Sequence, residues 1–200
     1  MCIRDSAFID TVSQFEQFMS TLVFKVYMDH PGKLRGLAKD SDDETEGRSS
    51  KLLALILESD DRYEMIHKLA EEKVRGIFYG NPLGLFVSDK ARLEFGNYFK
   101  ENHIHSLEIF KEATARRNII IHNKARVDRK YVSEVSGTDL RLRQKVQIDE
   151  EYLRNCMLAL KDIAAAAANQ VSTSIYKVPL RGKAAVSYTH LRAHETLRHL

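Results

Sequence analysis

Between Ala7 and His30 the apolar residues Phe8, Val12, Phe15, Phe18, Met19, Leu22, Val23 and Val26 recur at steps of three and four. That spacing puts them on one stripe of an α-helix, and the stripe is stable only when another element covers it. The same period returns in Tyr63, Ile66, Leu69, Val74 and Phe78, in the segment Ile104 to His122, and in Leu153, Met157, Leu160 and Ala164. Leu52, Leu53, Leu55 and Ile56 behind Ser49 or Ser50 predict another helix, and Ser88-Asp89 predicts the start of one through Leu93, Phe95 and Phe99. Strand-like alternation occurs once, from Leu140 to Ile148, where Leu140, Leu142, Val146 and Ile148 fall on one side of an extended arm or short hairpin. Five or so helices with short connections, and an arm between the last two long ones, imply an all-α helical bundle.

The punctuation agrees with that reading. Pro31-Gly32 and Gly80-Asn81-Pro82 break helices, and Ser59-Asp60-Asp61 caps the next one. Asp149-Glu150-Glu151 places acid at a helix start, where the backbone dipole favours it. The acidic run Asp40 to Gly47 lacks the ligand spacing and closing Glu of a calcium loop and reads as a surface loop.

The two ends read differently from the rest. Val186-Ser187-Tyr188-Thr189-His190 can be encoded GTC TCT TAT ACA CAT, whose reverse complement encodes Met-Cys-Ile-Arg-Asp, the first five residues of the chain. One short DNA element in opposite orientations accounts for both, and it resembles the transposase adaptor of sequencing libraries. Residues 1–6 and about 186–200 are therefore set aside as adaptor artefacts, and 7–185 is read as a single helical domain truncated at one or both ends.

With the ends set aside, 28 basic and 26 acidic residues remain, a net charge of +2. The charge is uneven. Arg116 to Lys145 holds nine basic and three acidic residues, so this window carries +6 and the remainder −4. A local basic segment attracts a phosphate backbone even on a nearly neutral protein; the alternative is a solvated basic face. Cys156 is the one cysteine left, which excludes a disulfide framework and points to a reducing, cytoplasmic setting. No apolar run approaches the ~18 residues that span a bilayer, so no membrane association is expected.

The stretch richest in chemistry is Ala115 to Val132, ARRNIIIHNKARVDRKYV. On a helical wheel, Ile109, Phe110, Ala113, Ile120 and Ile121 share an apolar arc, Arg117 falls inside it, and Asn118 and His122, four apart, lie at its edge. A guanidinium in an apolar arc must either pair with an internal carboxylate or open onto a cleft or interface, because burying it alone is costly.

Arg117-Asn118-Ile119-Ile120-Ile121-His122 matches the Arg-Asn-x-x-x-His signature of the HEPN superfamily. With Val127, Tyr131-Val132 and the later QIDEEYL segment, the chain resembles the RiboL-PSP-HEPN-like bacterial branch over about residues 90 to 175. It departs from that branch where Lys124-Ala125 stands in place of Asn-Gly, which bears on the turn after the motif. The resemblance implies an α-helical, dimeric endoribonuclease that uses no metal or other cofactor, with the motifs of two protomers meeting across a cleft. Arg117, Asn118 and His122 would be the catalytic residues. His122 would accept the proton of the attacking 2′-hydroxyl, Arg117 would stabilise charge on phosphorus, and Asn118 would orient one or the other. Arg116, Lys124, Arg126, Arg129 and Lys130 would bind RNA. A toxin or antiphage defence effector controlled by an antitoxin protein is the setting this implies. The alternatives are a non-catalytic HEPN module binding RNA or a protein partner, and a helical interaction protein whose motif is accidental. An Arg117 locked in an internal ion pair, far from any protomer contact, would favour the last.

Other polar residues promise less. His103-x-His105 has no further metal ligands arranged around it, Cys156 reads as a packed thiol, and Glu108 and Glu112 read as surface carboxylates, with Glu112 able to pair with Arg116.

Overall fold

The computed structural model describes residues 3–34, 59–78, 83–135 and 140–178. Among them are seven α-helices: α1 (Ile3–Asp29), α2 (Arg62–Phe78), α3 (Gly84–Val87), α4 (Tyr98–Asn102), α5 (Ile104–His122), α6 (Arg129–Glu134) and α7 (Glu150–Ser174), with a 3-10 turn at Pro31–Leu34. No strand occurs among the described residues, and the fold is an all-α bundle. The helix expected after Ser49 or Ser50, the Gly80-Asn81-Pro82 stop, the acidic run and the C-terminal tail lie outside the described residues.

α1 is the central post, packing against α2, α5 and α7, while α5 and α7 pack on each other. Its buried face is Phe8, Val12, Phe15, Met19, Val23, Val26 and Tyr27, the stripe that the spacing predicts; Phe18 faces outward. The core is strongly aromatic. Phe15 meets Phe110 edge to face at 4.8 Å, and Phe86 meets Phe99 at 4.9 Å in the same manner. Such pairs contribute about 1 kcal/mol beyond the area they bury. α7 meets the bundle through Cys156, Ala159, Leu160, Ile163, Ala166, Ala167 and Val171, whose small members let helix axes approach. Met157, expected on that face, is half exposed.

The caps follow the sequence. At the start of α2 the Asp61 carboxylate accepts the Glu64 N–H, and the Glu64 carboxylate accepts the N–H of Asp60, the residue before the cap. Asp149 accepts the Tyr152 N–H at the start of α7. Asp128 does the same for Tyr131 and starts α6, a helix that hydrophobic spacing is too short to reveal.

One expected helix is absent. From Ser88 the chain turns irregularly to Asn97, with positive φ at Asp89, Arg92, Glu94 and Gly96. Asp89 does not cap a helix; its two carboxylate oxygens take the Leu93 and Glu94 N–H groups at 2.7 and 2.9 Å and fold the loop around themselves. The loop still buries Leu93 and Phe95, and α4 just after it buries Phe99, which is why the apolar spacing resembled one continuous helix.

The arm between the long helices turns at Leu142-Arg143, with Arg143 left-handed at φ 68°, and is extended only after that turn. It pairs antiparallel with the segment after α5: the Val127 N–H donates to Gln144 O, Arg143 N–H to Val127 O, and Val146 N–H to Ala125 O. Val146 and Ile148 are buried, whereas Leu142 is half exposed, so the inward alternation holds only for the second half of the arm.

Candidate functional site

α5 positions the motif. Its inward face is Leu107, Phe110, Ala113, Thr114, Ala115 and Ile119, which turns the Arg117–His122 stretch toward the junction with α1 and α6. Ile121, expected within the apolar arc, is half exposed beside His122. After His122 the backbone turns through Lys124 and Ala125, both left-handed at φ 51° and 60°, with the Ala125 N–H returning to Ile119 O. The turn is thus formed by two residues carrying a Cβ. Such residues disfavour this region by about 1–2 kcal/mol each, so surrounding contacts must hold it. Those contacts are the arm bond from Val146 to Ala125 and the Asn123 side chain, which donates to Arg126 O at 2.7 Å.

The three motif side chains diverge. Arg117 turns inward and places Nη1 2.5 Å from Glu16 Oε2 on α1. Its Nη2 donates to the Asn118 Oδ1 at 3.3 Å, and its buried Nε has no partner among the described residues. The guanidinium has taken the first of its two options, an internal carboxylate. Asn118 and His122, unlike Arg117, reach an open surface. They line an open depression of about 300 Å3 with Ala115, Ile119, Asp128, Lys130, Tyr131 and Glu134. His122 is exposed.

The basic residues also separate. Lys124, Arg126, Arg129 and Lys130 are exposed, with Arg126 holding the arm through a 3.1 Å bond to Arg143 O. Lys130 stands on the wall of the depression, 3.8 Å from Glu134. Arg116 turns into the protein: Nε lies 2.6 Å from Glu112, and its carbon sits 3.9 Å above the Tyr152 ring.

Glu112, read from sequence as a surface carboxylate, is instead the hub of a half-buried polar knot. It accepts from Arg116, from the Tyr131 hydroxyl at 2.5 Å and from the Tyr152 hydroxyl, so one carboxylate ties α5, α6 and α7 together. Burial, reinforced by the hydrogen bond to Glu112, pushes the Tyr131 phenol up to about 12. Burial likewise pushes the neighbouring Cys156 thiol up to about 12, as suits a packed, inert thiol.

Sequence reasoning missed Glu16. The signal was present: Glu16 lies four residues after Val12 and three before Met19, a carboxylate inside the apolar stripe of α1 as Arg117 is inside that of α5. Two opposite charges on two buried faces are candidates to meet.

His103 and His105 are not brought together as ligands. His103 Nδ1 lies 2.7 Å from Asp162, which also accepts from Ser106 at 2.9 Å, and His103 Nε2 lies 3.3 Å from the Tyr98 hydroxyl. His105 is exposed. Among the described residues no group of three or more His, Cys, Asp or Glu side chains is arranged for a metal ion, and no helix is long and apolar enough to cross a membrane.

No family model, curated protein or solved structure matches the chain.

Proposed function

We propose that this chain is a metal-independent endoribonuclease of the HEPN superfamily. The reading rests chiefly on one juxtaposition: Asn118 and His122 share the wall of an open depression, and exposed Lys124, Arg126, Arg129 and Lys130 follow within eight residues. An imidazole at such a wall can take the proton of an RNA 2′-hydroxyl as it attacks the adjacent phosphate. The Asn118 amide can donate to a phosphate oxygen, and the basic residues can track the flanking backbone. The products would be a 2′,3′-cyclic phosphate and a 5′-hydroxyl. In this proposal two protomers bring their His122 faces together, with half-exposed Ile121 supplying apolar contact. The setting is a cytoplasmic toxin or antiphage effector of a bacterium, held in check by an antitoxin protein.

The Arg117 ion pair weighs against this reading: it favours a helical interaction protein whose Arg-Asn-x-x-x-His match is accidental, and it is also compatible with a non-catalytic module. The guanidinium is engaged by Glu16, and Arg117 is not among the residues lining the depression. A non-catalytic module, binding RNA or a protein partner through the same basic surface, needs no free guanidinium. The deciding experiment is incubation of unstructured RNA, with chelator present, with wild type, His122→Ala and Asn118→Ala. Wild-type cleavage to cyclic-phosphate ends, lost in both variants, supports the nuclease. Salt-sensitive RNA binding without turnover, unchanged in His122→Ala, establishes the binding module.

A further inference from the structure

Arg117 stands between two groups with different needs. On one side Glu16 takes Nη1 at 2.5 Å, and on the other Nη2 donates to Asn118 Oδ1 at 3.3 Å. A guanidinium has only donors, so it can face only the oxygen end of an amide. With Oδ1 turned toward Arg117, the Asn118 amide has its Nδ2, two N–H donors, left to present to the depression that Asn118 and His122 line. The guanidinium is in turn fixed from behind. Glu16 sits on α1, the longest helix, where Phe15 locks against Phe110 of α5 at 4.8 Å. The ion pair is largely withdrawn from solvent, with the side chains 25% and 17% exposed.

From this arrangement we infer a positioning relay, Glu16 to Arg117 to Asn118, that sets the amide of Asn118 with its donors toward the depression. Glu16 and Arg117 are positioning residues, and Asn118 is the group that touches the phosphate. The relay deepens the nuclease reading and rests on it for its purpose, but its geometry stands separately. It also accounts for a motif arginine that lies outside the depression: Arg117 acts by dictating which end of its neighbour faces the substrate. Without Glu16 the guanidinium loses its strongest partner, and the amide is free to rotate and present Oδ1, an acceptor that repels phosphate oxygens.

The test joins a structural readout with a kinetic one. The side-chain amide resonances of Asn118 are assigned by their loss in Asn118→Asp and followed by 1H–15N NMR in wild type, Glu16→Gln, Glu16→Ala and the exposed control Glu108→Gln. Both Glu16 variants are expected to move or broaden the Asn118 amide pair, and Glu108→Gln to leave it in place. Glu16→Gln keeps the shape of the carboxylate, so it serves if Glu16→Ala fails to fold. On an RNA oligonucleotide, Glu16→Ala should lower kcat roughly 10- to 100-fold with KM little changed, and Glu16→Asp should restore part of it. An Asn118 amide unmoved in a folded Glu16 variant overturns the relay, whatever the chain does to RNA. A moved amide in a protein that cleaves no RNA keeps the relay and removes the nuclease reading. A moved amide with wild-type kcat in both Glu16 variants overturns the relay's positioning role.

Discussion

The Tyr131 hydroxyl donates to the Glu112 carboxylate at 2.5 Å across the junction of α5 and α6, and through Glu112 it is coupled to Arg116 and Tyr152. Because Tyr131 also lines the depression, the wall of the candidate site is held by a polar knot behind it.

Removing the hub should cost more than removing a spoke. Glu112→Ala leaves a guanidinium and two phenols with no carboxylate in a half-buried setting, and about 3 kcal/mol of stability should be lost. Tyr131→Phe deletes one bond to a charged acceptor and should cost about 1.5 kcal/mol. The double variant should be less destabilised than the sum, since both changes break the same bond. Urea unfolding of the three proteins decides this; additive losses would show that the knot is not coupled.

Alkaline pH should weaken the fold. Cys156 and Tyr131 both have their folded pKa raised to about 12, mainly by burial. Both are neutral acids in the folded state, and the unfolded chain ionises first, near 8.5 for a thiol and 10 for a phenol. Unfolding then releases protons, so stability is intact below about pH 8.5 and falls between there and pH 12. The slope is at most about 1.4 kcal/mol per pH unit for each group. Unfolding free energy measured from pH 8 to 11 should decline more shallowly in Cys156→Ala. In native protein at pH 8, peptide mapping after alkylation should find Cys156 unmodified.

Relief of the left-handed turn should stabilise. Ala125→Gly, at φ 60°, removes a Cβ that this region disfavours, and a gain of about 0.5–1 kcal/mol is expected. Differential scanning calorimetry checks it. A lower Tm would mean that the loss of unfolded-state restraint outweighs the strain.

RNA binding should separate the basic residues by where they point. Replacing Lys124, Arg129 and Lys130 together by Ala should reduce the slope of log affinity against log salt by about 2, near 0.7 for each lost phosphate contact on a single strand. Arg116→Ala should instead lower the Tm and leave the slope nearly unchanged, because Arg116 is occupied by Glu112 and Tyr152. Fluorescence anisotropy between 50 and 200 mM salt, the range over which such contacts are felt, distinguishes them. A slope lowered equally by Arg116→Ala would place that side chain on the RNA.

The local signals carried much of this protein. Helical spacing and caps were sufficient for α1, α2, α5 and α7, because amphipathic period and terminal carboxylates act within a few residues of themselves. The Arg-Asn-x-x-x-His hexapeptide was legible for the same reason, as was the placing of Asn118 and His122 on one face. Tertiary structure decided what spacing could not. The loop from Ser88 to Asn97 buries the same Leu93 and Phe95 a helix would have buried, and only the Asp89 bonds and left-handed residues separate the two. Whether Arg117 and Glu112 faced water or other side chains depended on Glu16, 101 residues from Arg117, and on Tyr152, 40 residues from Glu112. A charge's partner is set by the packing of whole helices, and the sequence around the charge records the need for a partner without saying where it comes from.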